Sequence, residues 1–416
     1  MTGALSSPTT IEALVAAKEI VVVCGPGGVG KTTVAASIAA MAAVHQGGRV
    51  LVVTVDPARR LAQALGLPEP HGPPSSTAGP GPATGGARLW SGAQQVAASA
   101  FARAGVVPRG ELWAEMLDTK RSWDRLVSRH APDEATARRI LDNPLYQNIS
   151  GRFVQSHDYM AVERLYELHA EGAYDLIVVD TPPTRSAVDF LLAPQRMTDF
   201  FSSRLLRLLT VPYRSRLVDV ASRPFYYVAD KVLGSQFLQD IAEFFILFQT
   251  LSDGFVARAQ QVERLLADRR TTFIVVSTLE AVPIREAEAF MRLLPAKRLH
   301  LGGLVLNRAL PSYLTEGGLA ERAEQLCAQA ADLADEFCQP GGPLEHFEPA
   351  LVERVLGEVG TNFNNVAVVA KREAAQRREL AQASQVVATV PELAEDVHDL
   401  AGVLGVGRHV WSPETL

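Results

Sequence analysis

Six short apolar runs punctuate the chain. "EIVVVC" (Glu19–Cys24), "RVLVVTV" (Arg49–Val55), "YDLIVVD" (Tyr174–Asp180) and "TFIVVST" (Thr272–Thr278) are continuous rather than alternating. That is the pattern of strands buried on both faces of a parallel sheet. "LHLGGLVLN" (Leu299–Asn307) and "VVATV" (Val386–Val390) add two more strands. Helical segments lie between them, and the alternation predicts an α/β doubly wound fold.

The runs are unevenly spaced. Strand two ends near Val55 and the next begins near Tyr174, too far apart for a simple crossover. Inside that gap, residues 68–86 hold eleven Pro or Gly among nineteen, which predicts a flexible loop. Beyond it, "ELWAEMLDTKRSWDRLVSRH" and "VERLYELHAEG" show helical periodicity. A second gap, Ser186 to Ala267, also reads as helical, with Phe237, Ile241, Phe244, Phe245 and Phe248 at three- and four-residue steps. One sheet with two helical insertions is therefore expected.

Composition narrows the class. The chain has 416 residues, 47% hydrophobic and 21% charged, with net charge −6, ordinary for a soluble globular protein with a large core. Mild acidity offers no footprint for nucleic acid. Cys24, Cys327 and Cys338 are the only cysteines and fall at no metal-ligand spacing, so a reducing cytoplasm is expected. The N-terminus lacks a basic stretch followed by an apolar core, and no signal peptide is expected.

The first strand leads into "VVVCGPGGVGKTTVAAS". Gly25 to Thr32 reads G-P-G-G-V-G-K-T, a full match to the phosphate-loop pattern GxxxxGK[ST] between a strand and a helix. Such a loop turns backbone N–H groups toward phosphates, here at Gly27, Gly28, Val29 and Gly30, and the helix start adds positive dipole. Lys31 is expected to neutralise β/γ oxygens and Thr32 to offer its hydroxyl to Mg²⁺, with Thr33 near the α-phosphate. The bland alternative is a Gly-rich turn without a ligand.

Three further segments stand where a P-loop protein keeps its switches: "VDPARRLAQALGL", "VVDTPPTRSAVDFL" and "LVLNRALP". With "GGVGKTT" they resemble the ArsA and guided-entry ATPases, dimeric P-loop proteins related to the Min-system and nitrogenase iron-protein ATPases. The resemblance runs from Val21 to about Leu404. It implies a P-loop NTPase with a mostly parallel doubly wound sheet and an inserted α-helical subdomain, using ATP/ADP and Mg²⁺. It implies that Asp56 orients the attacking water, that Asp180 holds Mg²⁺ through water, that Asn307 bonds the adenine edge and that the loop near Pro391 flanks the base. A helix N-cap is the bland reading of Asp56 and Asp180, and a turn residue that of Asn307. On this reading the nucleotide-binding domain comprises residues 1–66, 173–185 and 269–405. A flexible loop spans 67–92, helical insertions span 93–172 and 186–268, and 406–416 form a tail.

One position departs from the family's KGGxGK[ST]. The first lysine, which reaches the partner's phosphates, is replaced by Pro26, which has neither charge nor N–H. By analogy with arginine fingers, a charge supplied in trans is worth ~10³–10⁵ in rate. Three readings stand: a paralogue with an intact lysine supplies the charge in a heterodimer; Arg59, Arg60 or Arg185 substitutes in place; or turnover is slow and the protein is a nucleotide-gated clamp. The heterodimer is preferred, with a homodimer as the other arrangement and Arg185 a candidate catalytic group. A surface salt bridge is the bland reading of Arg185.

The cargo is less legible. No cysteine lies between Cys24 and Cys327, so a thiolate metalloid site is not expected, nor a CxxC zinc site. Nine of sixteen phenylalanines lie between Phe190 and Phe255, which suits a groove for a hydrophobic or membrane-protein client, an amphipathic surface at the inner face of the plasma membrane, or the protein's own core. Two rival functions remain: a regulatory ATP-binding subunit with little turnover, and a Min- or partition-type positioning ATPase.

Overall fold

A computed structural model describes residues 9–55, 60–67, 92–149, 156–181, 191–196, 198–199, 244–382, 384 and 386–411. Eight strands form one sheet: β1 (Ile20–Cys24), β2 (Arg49–Thr54), β3 (Gln94–Gln95), β4 (Glu111–Met116), β5 (Leu176–Asp180), β6 (Thr271–Ser277), β7 (Leu301–Ala309) and β8 (Val387–Pro391). Their order is β3-β4-β2-β5-β1-β6-β7-β8, and every pairing is parallel except the short β3–β4 edge. This is the α/β architecture of a P-loop NTPase.

All six strands expected from apolar runs are present. Their continuity has the expected cause, because both faces of the sheet are covered. Ile20, Val22 and Cys24 point into one buried cluster with Leu51, Ile177 and Phe273. Val21 and Val23 point into the other with Val50, Val178 and Ile274. The second cluster includes the helix Lys31–His45, apolar nearly all round, packed against the C-terminal helix Leu400–Trp411. Ser37 Oγ, buried between them, donates to the carbonyls of Thr33 (2.7 Å) and Val403 (2.8 Å). A buried hydroxyl thus keeps its hydrogen bonds inside an apolar contact.

One expectation is corrected. "ELWAEM" is not helical: Glu111–Met116 is strand β4, in parallel register with β2 from Arg49↔Glu111 to Thr54↔Met116. Leu112 and Met116 stand four residues apart, which reads as a helical step. In the sheet they are buried along with Ala114 and Glu115, because β4 is covered on both faces. The segment 93–172 therefore contributes β3 and β4 to the sheet, with the short helix Ala98–Arg103 between them, and continues as the helix Thr119–His130.

Glu115 is buried because it is paired. Arg164, on the helix Ser156–Glu171, donates Nε to Glu115 Oε1 (2.8 Å) and Nη2 to Oε2 (3.1 Å). The same guanidinium reaches Glu167 (3.1 Å), which also accepts from Arg129 (2.9 Å). Such a planar two-bond clamp satisfies both charges away from water.

The helical reading of the second gap holds where it is described: residues 191–196 and 244–249 and the helix Ser252–Ala267 are helical. Phe244, Phe248 and Phe255 are core residues. Phe248 and Phe255 lie 6.0 Å, centroid to centroid, from Trp123, and Phe255 lies 6.0 Å from Tyr159. Phe237 and Ile241 lie outside the described residues, as do the other phenylalanines between 190 and 237. The segment between β7 and β8 holds further helices, Leu319–Ala328, Ala330–Phe337 and Pro349–Ala381, which the sequence reading had folded into the nucleotide domain.

Candidate nucleotide site

The loop after β1 is pinned by its chain neighbours. Pro26 and Val29 are buried, whereas Gly27 and Gly28 are exposed at its rim. Gly30 caps the helix Lys31–His45 at φ 90°, a left-handed conformation that glycine adopts without strain. It also has no room for a side chain, because a Cβ there would overlap the Asn307 amide. Without a capping side chain, the helix start presents its positive dipole end to the loop. Lys31, buried, folds back so that Nζ donates to the Pro26 carbonyl at 2.9 Å. Pro26 thus supplies an oxygen to the loop's own lysine, although it lacks the charge expected at that position.

The carboxylate comes from β5. Asp180 pairs in register with Val23 of β1 and Thr54 of β2, so three strand ends meet beside the loop. Asp180 Oδ2 accepts from Thr32 Oγ1 (2.7 Å) and from Thr54 Oγ1 (3.0 Å), and Asp180 is buried. Thr181 closes the arrangement, its N–H and hydroxyl both donating to the Val23 carbonyl (3.2 and 3.0 Å). Thr32 spends its proton on Asp180, so its oxygen lone pairs stay available to a cation. A hydroxyl and a carboxylate side by side suit a hard ion whose remaining ligands are phosphate oxygens and water. The residues present fit Mg²⁺.

Asn307 reaches the loop from the opposite side. Its Nδ2 donates to the Val29 carbonyl at 2.8 Å, and the side chain is 9% exposed. The β7–β8 register shifts between Leu306 and Ala309, and Arg308 takes φ 56°. An irregularity of this kind re-aims the side chain beside it. Pro391 ends β8 opposite Ala309, so it stands one strand away from Asn307. Thr33 lies in the first helical turn, half-buried. Asp56, Arg59 and Arg185 lie outside the described residues, as does the Arg60 side chain.

Two groups escaped the sequence reading. Thr54 looked like the tail of an apolar run, and only its register opposite Asp180 reveals its role. The Pro26 carbonyl is backbone and carries no residue-type signal. Cys24, at the loop's entrance, is buried with Sγ 3.5 Å from the Ile274 carbonyl. Burial pushes its thiol far above the usual range, with Lys31 opposing only weakly, so it stays protonated and unreactive.

The family model for anion-transporting ATPases matches residues 18–74 and 147–339, together more than half of the chain. The chain belongs to that family. The first matched block holds the phosphate loop and β2, and the second holds Asp180 and Asn307. The chain is also similar to an uncharacterized protein of Streptomyces coelicolor, 29% identical over 315 residues, covering 73% of this chain and 67% of that protein. Family membership supports an ATPase. Among the described residues, no helix of this anion-transporting ATPase relative is long and apolar enough to cross a membrane.

Proposed function

We propose that this chain binds ATP at the loop Gly25–Thr33 and hydrolyses it. The observation that carries the reading is the meeting of Thr32, Thr54 and Asp180 beside a glycine-built helix start. Backbone amides from Gly27 to Thr32 take the phosphate oxygens, and Lys31 swings from the Pro26 carbonyl to the β/γ oxygens when they arrive. When bound, Mg²⁺ supplies charge neutralisation between those oxygens. Asp180 fixes the Thr32 hydroxyl, and Thr54 fixes Asp180. Asp56 orients the attacking water; phosphoryl transfer asks little more of the protein than position and charge. Asn307 holds the loop through Val29 and borders the base, with the segment after Pro391 on its far side.

The missing first lysine shapes the rest. A paralogue bearing that lysine completes this subunit's site in a heterodimer, and Arg185 is the local substitute should the chain act alone. The cycle then moves the helical segments, which handle a hydrophobic or membrane-associated client. Phe244, Phe248 and Phe255 are buried in the core and so do not themselves form a client surface. The second reading, a regulatory ATP-binding subunit with little turnover, is favoured by Pro26 alone.

Titration calorimetry with ATP and Mg²⁺, repeated on Lys31→Ala, tests the binding step. The reading fails if neither protein gives heat, or if both bind equally. Single-turnover hydrolysis by the chain alone and mixed with lysine-bearing paralogues separates the remaining alternatives. Acceleration in the mixture supports the heterodimer, and a rate lost only in Arg185→Ala supports local substitution.

A further inference from the structure

The helix Pro349–Ala381 carries an apolar stripe that nothing in the described chain covers. It begins beyond residue 339, where the family match ends. Its 33 residues span roughly 50 Å at the α-helical rise. Glu373 accepts from the Leu310 N–H at 3.0 Å, where β7 has just ended, and the helix then leads back to the start of β8. The stretch before Glu373, roughly 36 Å, therefore projects past the sheet edge that carries the phosphate loop. It packs on the helices Leu319–Ala328 and Ala330–Phe337 and the short turn Ser312–Thr315. Its inner face is Val352, Gly360, Ala367 and Ala370, all buried.

Beside that face run Val355, Val359, Asn362, Val366 and Val369, and the four valines are 39–53% exposed. The steps are four, three, four and three residues, the spacing of a coiled-coil seam. We propose that two copies of this chain pair antiparallel through this seam.

Two features of the stripe select a second copy. The spacing suits another helix with the same repeat, which an identical chain supplies. The second feature is charge. About a two-fold axis near residue 364, Val359 faces the partner's Val369 and Asn362 faces the partner's Val366. Glu358 then flanks the partner's Arg372, and Arg372 flanks the partner's Glu358. A parallel pair offers no such match, since Glu358 would lie beside the partner's Phe363. Glu358 is available for this: its intrachain neighbour Arg354 is 3.9 Å away and both are well exposed, a contact worth little. The seam is short, so association is expected at micromolar concentrations.

Sedimentation of the full chain tests the pairing. A concentration-dependent dimer is expected, and Val359→Glu with Val366→Glu should abolish it while leaving the far-ultraviolet circular dichroism intact. Glu358→Arg and Arg372→Glu, each placing like charges together twice, should each weaken self-association about tenfold. An equimolar mixture of these two variants should recover it as a heterodimer. Oxidation of Asn365→Cys, a position flanking the axis, should give a covalent dimer that the unaltered chain does not form. A monomer at every concentration overturns the proposal. So does a dimer indifferent to the glutamate pair, or single charge variants that behave like the parent. Lys31→Ala should dimerise normally, so failure of the ATP reading and failure of this one are seen separately.

Discussion

Thr32 Oγ1 donates to Asp180 Oδ2 at 2.7 Å, joining the first turn of the loop helix to the end of β5. The pair is preformed, so the carboxylate's charge is the part to test. Asp180→Asn keeps an oxygen to accept from Thr32 and removes the charge. Nucleotide affinity with Mg²⁺ present should fall at least about tenfold, whereas affinity in a chelator should hardly change. Calorimetry in the two buffers measures both, and equal losses would assign Asp180 to the fold alone.

Thr54 acts through Asp180. Replacing it by valine deletes one buried hydrogen bond and should cost about 1 kcal/mol in urea unfolding. The more telling readout is the Mg²⁺ concentration for half-maximal hydrolysis, which should rise while the affinity for metal-free nucleotide holds. Thr54→Ser should restore it.

Gly30 and Asn307 are coupled through space. Gly30→Ala meets two penalties, a left-handed backbone costing about 1–2 kcal/mol and overlap with the Asn307 amide. Asn307→Ala in the same chain relieves only the second. A double-mutant cycle in denaturant should therefore show a favourable interaction of roughly 1 kcal/mol, and strict additivity would contradict the packing.

Arg164 anchors β4 to the helix behind it. Arg164→Met strands the buried Glu115 and should destabilise by about 3–5 kcal/mol. Adding Glu115→Leu should recover most of that loss. Thermal unfolding of the three variants decides whether the clamp, rather than side-chain volume, holds the strand.

Glu163 gives the fold a pH dependence. Burial pushes its carboxyl up to about 7, against the pull of Arg258, whose Nε lies 3.0 Å away. The folded state therefore holds a proton that the unfolded chain has released. This group's stabilising contribution is full below the ordinary glutamate range and is lost as pH rises through 7. Glu163→Gln removes the dependence, so its stability relative to the parent should improve between pH 5 and 8 by roughly 2.5 kcal/mol, most of it below pH 7, where the slope is about 1.4 kcal/mol per unit. A flat difference over that range would refute the assignment.

Much of the fold was legible because two-sided burial writes continuous apolar runs, and the phosphate loop because its chemistry needs glycines, a lysine and a threonine at fixed offsets. β4 was not, because Leu112 and Met116 stand a helical step apart and its buried Glu115 reads as a surface residue until Arg164 is brought beside it. Thr54 escaped for a related reason: its role depends on a neighbour 126 residues away in the chain.

The amino-acid order by itself determined the strand segments, the phosphate loop and the family. Those features are local, and residue type at short spacing encodes them. Tertiary structure alone decided that Asp180, Thr32 and Thr54 share one oxygen, that Asn307 closes on Gly30, and that the valine seam of the long helix faces outward. Each of those depends on which strand ends and helix faces meet, and parallel register and burial fix such meetings across separations that no local pattern spans.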